Sequence, residues 1–296
     1  MTTRGAGGGG LRILIVGNGG REHAFAWKLS QSPLVEYIYV APGNGGTSNN
    51  DKKINSANVK GDDYTGLVSF AQEKGVDLVI PGPEAPLVDG IQGYFQRVGI
   101  KCFGPSKAAA RVEGSKTFAK AFMKRHGIPT AEFGNFSDYE SAREYLDTVS
   151  HDVVIKADGL AGGKGVIIPT SKEEAHTALQ ETMVQRQFGK AGDEVVIEEY
   201  LDGDELSIVT FTDGYTIRSL PPAQDHKRIF DGDLGANTGG MGCYAPTRIA
   251  PKEVVDEIER IIVRPTVDGM RRDGTFSNIT FPIDRYHLFS MLILDT

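Results

Sequence analysis

The sequence predicts an α/β chain in which a parallel sheet with helices on both faces precedes an α+β region. Three observations carry this. Short apolar runs alternate with helix-spaced segments over residues 11–112, and repeated strand–helix units close into a parallel sheet. From residue 113 the strands lie closer together, and one pair meets at Asp213-Gly214, a tight-hairpin turn. At 296 residues, 40% hydrophobic and 24% charged, the chain has the length of two ordinary domains and the composition of a folded protein.

Five glycines among the first ten residues make a mobile tail with little to bury. Residues 11–16 form an apolar run ending in Gly17-Asn18-Gly19-Gly20, after which Ala24, Phe25, Trp27, Lys28 and Leu29 take helical spacing. The alternation recurs as strand 35–40, helix 64–73, strand 76–80, helix 87–98 and strand 100–103. Then follow helix 113–126, a Gly127-Ile128-Pro129 break, and helix 138–148. Strands 153–157 and 165–169 flank a glycine-rich loop as a hairpin. Helix 172–187 and strands 195–201, 206–212 and 215–220 complete the pattern. The division is a tail at 1–10, domains at 11–112 and 113–274, and a second tail at 275–296.

A net charge of −7 argues against nonspecific nucleic-acid binding, which needs clustered positive charge. It leaves phosphorylated small molecules open, because a few cations and backbone amides hold those. No stretch is apolar enough for a secretory signal or a membrane span, so a cytoplasmic location and no membrane partner are expected. Cys102 and Cys243, far apart in a large chain, read as two buried thiols.

Gly17-Asn18-Gly19-Gly20-Arg21-Glu22 sits where a dinucleotide fingerprint would, but Glu22 occupies the third glycine position, which disfavours a nicotinamide cofactor. The glycines still leave N–H groups at a helix N-terminus, suited to a sugar phosphate; a plain structural turn is the alternative. Gly159-Leu160-Ala161-Gly162-Gly163-Lys164-Gly165 lacks the Walker pattern, with Asp158 and Gly165 at the diagnostic positions. Such a loop between two strands suits a lid over a triphosphate. Lys156 interrupts an apolar strand and faces either solvent or a phosphate. Glu198, Glu199 and Glu205 lie where a strand leaves into a loop, as adenine and ribose acceptors or as a solvated face. Gln224-Asp225-His226-Lys227-Arg228 reads as a charged cluster in a loop, followed by Asn237-Thr238-Gly239-Gly240-Met241-Gly242. There is no nucleophile elbow and no zinc-spaced histidine pair.

Seven segments together resemble glycinamide ribonucleotide synthetases, also called phosphoribosylamine–glycine ligases, of the ATP-grasp superfamily. They begin at Ile15, Ala41, Gly82, Glu113, Ile155, Gln224 and Asn237, and end at Ala24, Gly45, Leu87, Lys116, Gly165, Arg228 and Gly242. The resemblance covers residues 11–274 and implies a Rossmann-like first domain and an incomplete ATP-grasp domain. It implies ligation of glycine to 5-phosphoribosylamine in purine synthesis, with ATP and Mg2+ (or Mn2+), through a glycyl phosphate. Carried onto this chain, Lys116 and Lys156 bind ATP phosphates, and Gly162, Gly163, Lys164 and Gly165 form the lid. Glu198, Glu199, Leu201 and Glu205 surround adenine and ribose. Asn18, Gly19, Gly20, Arg21, Glu22, Gly82, Pro83, Glu84, Asn237, Thr238, Gly239, Gly240, Met241 and Gly242 bind substrate, with Asp225, Lys227 and Arg228 as catalytic residues.

After Gly274 the chain departs from the family, beginning at Thr275, and the acidic stretch that resembles magnesium ligands does not follow. No metal ligand is therefore assigned, since the family's ligands lie beyond the departure at Thr275. A retained intron or a frame change near codon 275 is the expected cause. Two functions are expected: the ligase, or a catalytically impaired truncated product that at most binds nucleotide. Longer relatives are expected to carry a second purine-synthesis enzyme.

Overall fold

The structure, a computed structural model, describes residues 9–48, 53–159, 165–232, 234–275 and 287–291. It divides into two compact units between Ala110 and Arg111. The first contains β1 (Leu11–Gly17), α1 (Gly20–Ser30), β2 (Val35–Pro42), β3 (Ile54–Ser56), α2 (Tyr64–Lys74), β4 (Leu78–Pro81), α3 (Glu84–Asp89), α4 (Ile91–Gln96) and β5 (Lys101–Cys102). Its five strands run in the order β3-β2-β1-β4-β5, all parallel.

The two-residue period of a strand explains the two-sided burial. Ile13 and Ile15 pack with Ala26 of α1, Ile38 and Val40, while Leu14 and Val16 pack on the other face with Leu67, Ala71, Ile91 and Phe95. The single helix expected over 87–98 is two helices, because Gly90 takes a left-handed φ of 92° and ends the first of them. Strand β3 has no counterpart in the sequence reading; three residues are too few to show a period.

The division falls within α5 (Lys107–Gly114). The second unit continues with α6 (Lys116–His126), β6 (Phe133–Phe136), α7 (Tyr139–Thr148), β7 (Val153–Ala157), β8 (Val166–Ile167), α8 (Lys172–Met183) and β9 (Val195–Glu199). The helix expected over 113–126 starts at Lys116, because Ser115 is extended and its hydroxyl accepts the Phe118 N–H as an N-cap. Strands β6-β9-β7-β8 make an antiparallel sheet. One face carries Val153, Ile155, Val195 and Ile197 against Ala142, Leu146, Ala175, Ala178 and Leu179 of α7 and α8.

Strands β10 (Ile208–Thr212) and β11 (Ile217–Ser219) pair across the Asp213-Gly214 turn as expected. The charged cluster and the glycine-rich stretch, expected as loops, are instead paired as β12 (Gln224–Phe230) and β13 (Leu234–Tyr244). Charge and glycine hide the alternation of a strand, and register breaks beside His226, Arg228 and Phe230 remove the rest of it. Cys243, expected buried, is exposed on β13, whereas Cys102 is buried. Helices α9 (Lys252–Ile258) and α10 (Arg264–Arg272) follow, and β14 (His287–Met291) pairs antiparallel with β10.

Thr275, where the departure from the family is expected to begin, is still tied to α10. Its N–H and its hydroxyl both donate to Met270 O, each at 3.0 Å, and so satisfy a carbonyl that the end of the helix leaves without an intrahelical donor. Thr275 thus closes the helix before it, and β14 pairs with β10 of the same unit.

Helix α10 crosses α6 at Gly269, where a Cβ would stand 2.7 Å from the His126 ring. Beside this crossing Asp273 accepts hydrogen bonds from Arg125 and His126. Burial alone would raise the Asp273 carboxyl, but those hydrogen bonds outweigh it and hold the group below its ordinary 3.8. A depressed carboxyl contributes stability above its unfolded value and loses it as pH falls through the folded value. Asp273→Asn should therefore destabilise the second unit by about 1 kcal/mol at pH 7. In urea unfolding, the gap between wild type and variant should close as pH falls below about 4.

Candidate functional site

The first unit gathers its candidate residues at the carboxyl end of its sheet. Strand order reverses between β1 and β4, the switch point where open α/β sheets bind ligands. Three loops leave there and are tied together by hydrogen bonds. Gly43 N–H donates to Gly17 O (3.1 Å) and Gly82 N–H to Val16 O (2.9 Å). Asn44 Nδ2 donates to the carbonyls of Asn18 (3.0 Å) and Gly19 (3.2 Å). Arg21 donates to Gly82 O (2.6 Å) and pairs with Glu84 (2.9 Å).

Glu22 is the centre of this arrangement. It is 4% exposed, and its Oε2 accepts the Gly19 N–H at 2.6 Å. Its Oε1 lies so close to Gly82 that an added Cβ would stand 1.8 Å away. The residue that excludes a dinucleotide fingerprint thus clasps two loops from inside, while space remains open at Gly20, the first residue of α1. Asn44 is not singled out by the sequence reading. Its signal is an Asn-Gly-Gly-Thr turn, in which Asn44 Oδ1 accepts from Gly46 (2.9 Å) and Thr47 (3.2 Å).

In the second unit the candidates lie on the sheet face away from α7 and α8. Lys156 alternates with the core residues Ile155 and Ala157, and Glu198 with Ile197, so both project to that face. Glu198 is 4% exposed and forms ion pairs with two lysines. Lys156 pairs with Oε1, and Lys120 Nζ lies 2.5 Å from Oε2. Oε2 is thus buried against the Lys120 ammonium.

Helix α6 crosses this face with Lys116, Lys120 and Lys124 at four-residue spacing. Lys116 Nζ donates to Ala157 O (2.9 Å) and Gly159 O (3.3 Å). Lys120 donates to Thr130 Oγ1 (2.6 Å), and the ammonium groups of Lys120 and Lys124 lie 5.6 and 5.9 Å from the Phe133 ring centre. Burial, reinforced by neighbouring Lys156, pushes the Lys116 ammonium below its ordinary 10.5, against the pull of Asp158. Asp158 Oδ1 accepts from the Ser115 hydroxyl (3.0 Å) and the Thr117 N–H (2.7 Å), pinning the start of α6 to the end of β7. The sequence reading misses Lys120; a four-residue lysine repeat is its only trace.

The other candidates have different surroundings. Gly165 O accepts the Ala157 N–H at 2.8 Å, while Gly162, Gly163 and Lys164 lie outside the described residues. Glu199 pairs through its backbone with Glu132, and Leu201 is exposed. Glu205, expected on the nucleotide side, forms a 2.8 Å ion pair with Lys227, expected on the substrate side. On the hairpin, Asp225 lies against Gly240, and Thr238 Oγ1 donates to Lys227 O (2.8 Å) and accepts the Gly240 N–H (3.1 Å). Arg228 donates to Gly235 O (2.9 Å) and lies opposite Asn237 in the ladder; Met241 is exposed. Among the described residues no three His, Cys, Asp or Glu converge to hold a metal ion.

A doubly wound parallel unit followed by an antiparallel sheet with lysines on its open face is the architecture of the ATP-grasp class. A model described as the phosphoribosylglycinamide synthetase N domain matches residues 11–113, and one described as its ATP-grasp (A) domain matches residues 114–282. The chain belongs to the phosphoribosylglycinamide synthetase family. The second match runs past Thr275 and ends at residue 282, so the family likeness extends a few residues into the expected tail. The chain is 61% identical over 263 residues to the bifunctional purine biosynthetic protein ADE1 of Schizosaccharomyces pombe, covering 88% of this chain and 33% of that protein. It is 48% identical over 264 residues to the phosphoribosylamine–glycine ligase of Haemophilus influenzae, covering 89% and 61%. The crystal structure of the Thermotoga maritima phosphoribosylamine–glycine ligase superposes with a TM-score of 0.72 at 34% identity, over 89% of this chain and 62% of that one. The chain thus spans from about a third to three-fifths of the length of these relatives. No helix among the described residues is long and apolar enough to cross a membrane.

Because Gly82 abuts the buried Glu22 carboxylate, Gly82→Ala should destabilise the first unit by about 1–3 kcal/mol in chemical denaturation. A neutral outcome would remove Glu22 as the clasp of these loops.

Proposed function

We propose that the chain carries the nucleotide and substrate sites of a phosphoribosylamine–glycine ligase. The buried cluster of Lys120, Lys156 and Glu198, with Lys116 beside it on the same sheet face, is the observation that carries this reading, since it offers cations for phosphates next to a carboxylate. In this reaction the glycine carboxylate takes the γ-phosphoryl group of ATP, releasing ADP. The amine of 5-phosphoribosylamine then attacks the acyl carbon, loses a proton and expels phosphate. Lys116 and Lys156 hold the phosphates during both steps and disperse their charge. The amides at the start of α1 and the loops tied by Glu22 receive the sugar phosphate. Asp225, Lys227, Arg228 and the hairpin residues Asn237, Thr238, Gly239, Gly240, Met241 and Gly242 serve the glycine side. Magnesium is the metal this chemistry uses; when bound it neutralises triphosphate charge. A cytoplasmic setting suits the substrates, and fusion to a second purine-synthesis activity follows the pattern of the bifunctional relative.

The test is phosphate release by the purified protein given glycine, 5-phosphoribosylamine, ATP and magnesium. Release that requires both substrates supports the ligase; ATP binding without release assigns nucleotide binding alone. Lys116 adds a sign to this test. Its ammonium is depressed in the free protein and a bound triphosphate favours the charged form, so binding takes up a proton at pH values between the free and bound values. ATP affinity should therefore fall as pH rises toward 10.5. Calorimetry in buffers of different ionisation enthalpy should report uptake of up to about one proton.

A further inference from the structure

We propose that Lys120 is a positioning residue, the fixed counter-ion of Glu198 that frees Lys156 to bind a nucleotide phosphate. This rests on the nucleotide reading above. Glu198 is nearly fully buried, and a buried carboxylate needs a partner whether or not ligand is bound. Both Lys156 and Lys120 supply one, but their settings differ. Lys156 stands on β7, one residue from Ala157, whose carbonyl accepts from Lys116, so it sits beside the other phosphate-directed lysine. Lys120 is anchored by the Thr130 hydroxyl at 2.6 Å and lies over Phe133, the residue paired with Glu198 across β6 and β9. When Lys156 turns to a phosphate, Lys120 is the cation that stays on the carboxylate. Without it Glu198 competes with the nucleotide for Lys156, and affinity falls although no direct nucleotide contact has been removed.

Calorimetric titration of the full chain with ATP tests this, using wild type, Lys120→Met, Lys120→Arg, Glu198→Gln and the Lys120→Met/Glu198→Gln double variant. Lys120→Met should weaken ATP binding about 10- to 100-fold, the scale of an interaction with a charged group. Lys120→Arg, which keeps the charge, should lose less. The double variant should bind more tightly than Lys120→Met alone, because the competing carboxylate has gone. A structural role or a direct phosphate contact by Lys120 predicts no such rescue. Unchanged affinity in Lys120→Met, or losses that simply add in the double variant, overturns the proposal while leaving the ligase reading intact. A wild type that binds no ATP overturns both. If thermal unfolding shows that Lys120→Met does not fold, Thr130→Val provides the reading, with several-fold weaker binding expected and unchanged affinity overturning the proposal.

Discussion

The cost of burying a single carboxylate organises the second unit. Glu198 reaches the interior because the strand pleat gives Ile197 and Val195 to the core and leaves position 198 on the opposite face, where α6 covers it. Leaving one member of a buried ion pair alone costs roughly 3–5 kcal/mol. The position of α6 is fixed accordingly. Three lysines spaced four apart repel one another along a helix by a few tenths of a kcal/mol per pair, and here each has its own receiver: two carbonyls for Lys116, Glu198 and Thr130 for Lys120, and the Phe133 ring for Lys124. Asp158 sets the register by binding the first turn of α6.

The first unit meets a similar demand with mostly uncharged groups. Its loops are joined through backbone amides and Asn44, and the buried Glu22 carboxylate accepts an amide N–H. The amides at the start of α1 offer weak, diffuse positive character there, whereas the second unit offers full charges. The two units thus present anion-attracting groups of different strength.

Much of this is legible from sequence because it rests on local patterns. The alternation over residues 11–16, the turn at Asp213-Gly214, and the lysine interrupting β7 are signals of period and turn chemistry that the fold keeps. The hairpin of β12 and β13 is not legible, since its pairing depends on glycines taking positive φ at positions 232, 235 and 240 and on bulges that break the period. Cys243 follows it onto an exposed strand. Thr275 closes α10 whatever motif it belongs to, because a helix end is closed by whichever residue can donate to its last carbonyls.

By itself the sequence determined the order of the elements, the family and most of the groups available for chemistry, because propensity, spacing and motif all act within a few residues. Only the tertiary structure decided what those groups do to one another. Glu22 became a buried clasp, Glu198 became a shared counter-ion, and Lys120 joined the site. Each depends on which residues from distant segments are forced together out of water, and burial of charge has no local signature in the chain.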